Sequence, residues 1–240
     1  MSRALNVALY KATIRQLFSQ PVRTGALLGC AILPLLQLLV DPEPRLGTPK
    51  WAVFIAAIAA AGLIGLEVST GSLALFFTRP LTRATYVFSR WAGAVSVAAA
   101  LVLASLAGEV AIIAARDGEL ATTPLLLALV DRLSVVIGVV SVMTCFSAMV
   151  SSLGDLVIWL AIHIVSMSLG ASGDAAAMPI LIDAAVALRR VANPELDSYR
   201  LISSMRVPWS HVSFYFATVL LALGLAVFVL NRRELSYASE

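Results

Sequence analysis

Six apolar runs, cut apart by short polar or basic turns, constrain this chain more than anything else in it. They are Thr24–Val40, Trp51 to about Leu66, Trp91–Ala115, Pro124–Val150, Leu156 to about Leu169, and Val212–Leu230. A helix that crosses a bilayer takes about 20 mostly apolar residues. The chain has 240 residues, of which 60% are hydrophobic and 13% charged. An average soluble domain is about 45–50% apolar and about 25% charged, and a soluble chain of this length has too little interior to hide the excess. The expected fold class is therefore an all-α membrane protein with six transmembrane helices. No internal repeat or low-complexity stretch divides it, so residues 1–240 read as a single transmembrane domain.

The flanks add two elements. Residues 1–23 carry Arg3, Lys11, Arg15 and Arg23, and Val7, Tyr10, Ile14 and Leu17 recur at helical spacing. This predicts an amphipathic helix lying in the membrane interface, in contact with lipid headgroups, rather than a signal peptide. Residues 175–188 are apolar but too short to span, Asp183 interrupts them, and Arg189 to His211 is the most polar stretch. Residues 171–211 thus read as an extracytoplasmic or re-entrant helical segment between the fifth and sixth spans. Basic residues concentrate on one side. Arg3, Lys11, Arg15, Arg23, Arg79, Arg83, Arg90, Arg232 and Arg233 would share it, against Arg45, Lys50, Arg116 and Arg132 in and beside the short opposite loops and Arg189, Arg190, Arg200 and Arg206 in the long one, which weighs less because it reads as re-entrant or structured. The positive-inside rule then places both termini in the cytoplasm of a multi-pass cytoplasmic-membrane protein.

Several chemistries find no support. Cys30 and Cys145 both sit inside apolar runs and do not suggest a disulfide. No cluster has metal-ligand spacing. The two lysines, Lys11 and Lys50, lie outside any phosphate-binding loop motif, so nucleotide chemistry of that kind is not expected in this chain. There is no nucleophile elbow. The net charge of +3 comes from residues flanking apolar runs, which is not a nucleic-acid footprint.

Ionisable residues inside spans demand a partner or a task. Glu109 lies seven residues before Arg116, and Arg132 eight residues after Pro124. If the fourth helix starts near Pro124, the two stand at similar depth and form an ion pair. If it starts at Leu133, Asp131 and Arg132 are interfacial flanks and Glu109 faces the bundle alone. Both readings stay open on sequence. His163, mid-run, is either a hydrogen-bonded core histidine or a proton or ligand site. Together with Glu109 and Arg132, Asp131 and His163 are the candidates to line a polar pathway.

Residues 67–90 hold the most specific pattern. Glu67 closes an apolar run, a short stretch with Gly71 follows, and Arg79-Pro80-Leu81-Thr82-Arg83 makes a turn before the next long run. Pro80 cannot continue a helix, and Thr82 suits a helix N-cap. The product is a cytoplasmic elbow with two exposed arginines, Arg79 and Arg83.

This pattern resembles the permease subunits of ABC-2 type transporters, the type V exporter fold. Glu67, Gly71, Pro80, Leu81, Thr82 and Arg83 occupy the family's positions, whereas Arg90-Trp91-Ala92-Gly93 matches its next signature only in part. The resemblance implies that residues 67–90, with Glu67, Gly71, Arg79, Pro80, Leu81, Thr82 and Arg83, form a coupling elbow for a separate cytoplasmic ATPase that binds ATP and Mg. It implies pairing with a second permease, identical or different, and an exporter whose own chain is not an enzyme. An apolar bundle suits lipid-like, amphipathic or peptide cargo. Two other classes remain: a membrane scaffold that passes ATPase motion to an envelope partner, and an intramembrane enzyme using His163 with Glu109 or Asp131.

Overall fold

The computed structural model describes residues 5–41, 46, 50–77, 81–116, 121–171, 179–196, 198 and 209–233. Among them all regular structure is helical. The elements are α1 (Val7–Ser19), α2 (Pro21–Val40), α3 (Lys50–Ala60), α4 (Gly65–Ser69), α5 (Ser72–Phe77), α6 (Arg83–Ala115), α7 (Thr122–Met149), α8 (Gly154–Ala171), α9 (Pro179–Ala192) and α10 (Trp209–Arg232). Five stretches are long and apolar enough to cross a membrane: α2, the α3–α4 unit, α6, α7 and α10. The run expected as a fifth span is α8, whose apolar part is shorter than these.

Two boundaries differ from expectation. The interface helix ends at Ser19, because Gln20-Pro21 starts a new helix with proline in its first turn, where no amide is lost. Arg23 therefore belongs to α2. The elbow is also shorter than 67–90: Thr82 caps α6 through its hydroxyl, which accepts from the Thr85 amide at 3.1 Å, so Arg83–Arg90 is the first part of one 33-residue helix.

The α3–α4 unit lies at the centre, with 72% of its apolar window buried, against 22% for α2 and 28% for α10. Small side chains make this possible. Ala56, Ala57, Ala59 and Ala60 are fully buried, and they pack with Ala94 and Ala98 of α6 and Val135, Val136, Val139 and Val140 of α7. Close approach of helices through small residues is how membrane bundles gain dispersion contacts. The mostly exposed apolar residues of α2, such as Leu28, Ile32 and Leu36, lie on the outside.

Helix α7 is the spine, and its serines do the joining. The Ser134 hydroxyl accepts from the Leu196 amide at 3.2 Å, and its carbonyl accepts from the Tyr215 hydroxyl of α10 at 2.9 Å. Ser141 accepts from the Trp91 indole of α6 at 3.0 Å. Ser147 reaches α4, as described below. After α9 the chain lies along α7 without helix over residues 193–196, and Ser198 also reaches α7. Pro194 sits so close to Gly138 that a Cβ there would meet the Pro194 carbonyl oxygen at 2.5 Å. Gly138 lies well inside α7, so irregular backbone reaches deep into the bundle, buried by protein, a setting in which membranes tolerate it.

Both ends of α6 stitch neighbouring helices. The last carbonyls of a helix have no partner within it. Arg116 donates to the carbonyls of Leu38, Leu39 and Asp41 at the end of α2, and Arg83 donates to those of Leu230 and Arg233 at the end of α10.

Candidate functional site

The elbow begins with a broken helix. Between α3 and α4 the chain turns through Gly62, whose φ of +62° lies in the left-handed region that favours glycine. The break frees backbone groups inside an apolar bundle, where each would be costly unpaired. Three side chains take them up. Asp155, fully buried at the start of α8, accepts from the Gly62 amide at 2.7 Å. The Ser147 hydroxyl accepts from the amides of Ile64 and Gly65, both at 2.9 Å. Arg23 of α2 donates to the carbonyls of Ile58, at 3.2 Å, and Ala61. On the α7–α8 turn the Ser152 amide donates to the Gly65 carbonyl at 2.8 Å.

Beyond the break stands Glu67. It was expected on the elbow, and there it is buried. Its carboxylate makes an ion pair with Arg90 and accepts from the Tyr86 hydroxyl, both on α6. Arg90 also donates to Thr13 Oγ1 at 3.2 Å and Gln16 Oε1 at 2.7 Å, both on α1. Its guanidinium stands 5.7 Å from the ring centroids of Phe76 on α5 and Tyr86. One buried charge pair thus ties α1, α4, α5 and α6 into a knot. Gly93 lets α1 come close, since a Cβ there would meet Thr13 Cβ at 2.8 Å.

The other elbow residues divide. Gly71 turns the chain between α4 and α5 with a φ of +70° and is exposed. Leu81 packs against the Tyr86–Leu230 cluster, and Thr82 is the cap of α6. Arg79 and Pro80 lie outside the described residues. Arg83, read as an exposed arginine, instead turns inward: it is half-buried on the end of α10, with Phe77 beneath it at 5.5 Å. The free carbonyls of α10 attract the cation.

At the far end of α6 the Glu109–Arg132 alternative is settled in favour of the pair, because α7 begins at Thr122 and carries Arg132 well inside the helix. The two side chains meet fork to fork at 2.9 and 2.7 Å and are almost fully buried. Pro34, Trp51 and Ser105 close in around them, leaving a cavity of about 10 Å³, the room of one water molecule. Asp131 is not in that cavity; it accepts from the Ser198 amide at 2.6 Å. His163 stacks on Trp159 at 5.1 Å, meets Phe54 edge-on at 5.6 Å, and pairs with Asn193. The four candidate pathway residues therefore do not share one chamber. Among the described residues no group of three or more His, Cys, Asp or Glu is placed to hold a metal ion.

Sequence reasoning counted Arg23 and Arg90 only as basic flanks and gave Ser147 and Asp155 no role. Their signal was available: Gly62 and Gly65 in an apolar run announce a break, and a break in a membrane helix demands polar partners nearby. No family model matches this chain, and no curated protein matches it.

Proposed function

We propose that this protein is the permease subunit of an ATP-driven ABC exporter of the ABC-2 type, working with a cytoplasmic ATPase and a second permease subunit. The observation that carries the reading is the Glu67–Arg90 knot. Coupling to an external motor requires a piece at one end of the bundle that moves as a body, and this one joins the elbow helices to α1 and to the longest helix. In this reading the elbow and α1 face the cytoplasm, as do both termini. The ATPase supplies ATP and Mg chemistry, and closure of the ATPase dimer is a ligand-biased two-state transition read out by the knot. Helix α8 serves as the fifth of six spans, and residues 171–211, which include α9, form the extracytoplasmic or re-entrant segment that follows it. Cargo is lipid-like, amphipathic or peptide, in keeping with the apolar bundle.

A second reading is supported by a specific observation. Glu109, Arg132, Asp131 and His163 are all engaged within the fold. A bundle whose polar groups are committed in this way suits a scaffold that transmits ATPase motion to an envelope partner without passing cargo.

The test of both is a mild-detergent pull-down of the chain from its native membrane with mass spectrometry of its companions. A near-stoichiometric ATPase, lost on Arg79→Glu at the elbow, is the expected result. A chain that persists alone in several detergents contradicts the ATPase-coupled readings together. If an ATPase is present, turnover stimulated by lipid or peptide in reconstituted vesicles separates transport from scaffolding.

A further inference from the structure

The segment made of residues 193–196 and Ser198 is held at both ends by groups of known hydrogen-bonding polarity. Its outer end is fixed to α7: the Ser198 amide donates to Asp131 Oδ1 at 2.6 Å, and the Leu196 amide to Ser134 Oγ at 3.2 Å. Its inner end is fixed by Asn193, which is buried. The Trp159 indole N–H donates to Asn193 Oδ1 at 3.1 Å. An indole nitrogen only donates, so the amide oxygen must face Trp159. The amide nitrogen then faces His163 Nδ1, at 3.3 Å, and it too only donates. Hence Nδ1 of His163 must accept. The ring is neutral, with its proton on Nε2.

This order of polarity has a consequence. A proton taken from solvent by His163 would sit on Nδ1, pointing a donor at a donor. Asn193 cannot answer by flipping, because its nitrogen would then face the Trp159 N–H. The imidazolium keeps a favourable seat on α8 through its stack on Trp159, so the partner that leaves is Asn193. We propose that His163, Asn193 and Trp159 form a proton-sensitive latch that holds residues 193–196 and Ser198 against α7 while His163 is neutral and releases them when it is protonated.

Among the described residues the charges on the elements packed against α8 are few. Arg189 on α9 is exposed. Asp155, two turns away on α8, is committed to Gly62, while Lys50 on α3, Asp183 and Arg190 on α9, and Glu195 on the segment are exposed. The latch rests on these contacts alone and holds whether or not the chain is a permease. In the orientation proposed above, the proton arrives from the extracytoplasmic side.

Hydrogen–deuterium exchange of the full chain in lipid nanodiscs tests it, read on the peptide holding Leu196 and Ser198. The pH would go from about 7.5 to about 5.5, across the ordinary histidine range and above that of an aspartate. After correction for intrinsic exchange, the segment is expected to open about tenfold more at the lower pH, the effect of one buried hydrogen bond lost. Two variants should abolish the response by different routes. His163→Gln keeps an acceptor for Asn193 but cannot be protonated. Trp159→Phe frees the amide to flip and give its oxygen to the imidazolium. Equal protection of the wild type at both pH values, or an undiminished acid response in either folded variant, overturns the proposal.

Discussion

The two ends of α6 each carry a buried Glu–Arg pair, and they are built differently. Arg90 and Glu109 are 19 positions apart, about 28 Å along a helix, close to the thickness of a bilayer's hydrocarbon core. At the Glu109 end the described contacts run fork to fork: two parallel hydrogen bonds join α6 to α7. At the Arg90 end the pair is open. Tyr86 shares the carboxylate, and Thr13 and Gln16 share the guanidinium, so that four helices depend on it. A fork-to-fork pair rivets the two helices it spans. An open pair is a junction, and what it joins moves together.

That difference predicts unequal responses to the same surgery, measured by denaturant unfolding in lipid or detergent. The largest effect belongs to Glu67→Ala, which strands Arg90 in the interior and should destabilise by about 3–5 kcal/mol. Removing both charges with Glu67→Leu and Arg90→Met should not restore stability, because the buried Tyr86 hydroxyl loses its acceptor and Gln16 loses its donor. Glu109→Ala should also destabilise, by about 3–5 kcal/mol. There the apolar double replacement, Glu109→Leu with Arg132→Met, should recover more of the loss than the double replacement at the Glu67 end, since buried pairs exchanged for apolar residues of similar volume are often neutral. If both double variants behave alike, the distinction between rivet and junction is wrong.

Smaller effects sharpen the picture. Ser147→Ala leaves two amides of the α3–α4 break without an acceptor and should lower stability by about 1–3 kcal/mol. Ser141→Ala, which deprives the Trp91 indole of its acceptor, should fall below that, at about 1 kcal/mol. Thr82→Ala removes the cap at the elbow end of α6 and should register about 1 kcal/mol, typical of a lost N-cap. A loss at Thr82 exceeding that at Ser147 would mean that the break is not held as described.

What the sequence showed and what it hid follow the same physics. Apolar runs report spans directly, because bilayer thickness fixes their length, and the runs at Trp91–Ala115 and Val212–Leu230 lie inside α6 and α10. Thr82 was legible as a cap because capping is local. The Glu109–Arg132 pair was legible only as an alternative, since its decision hung on where α7 starts. Arg83 and Arg90 were counted as basic flanks, and both turn inward, because their partners come from distant segments: the end of α10 and the face of α1. The roles of Asp155 and Ser147 were equally hidden, since the groups they satisfy are backbone atoms, which composition does not mark. Arg79 and Pro80 lie outside the described residues.

The central claim is that the elbow and α1 move as one body through Glu67 and Arg90. It is tested most directly by spin-label distances between Ala12 on α1 and Ser69 on α4, both exposed, in a chain with Cys30 and Cys145 replaced. A single narrow distribution that broadens markedly on Arg90→Met is the predicted result. A distribution equally broad before and after that substitution would contradict the account.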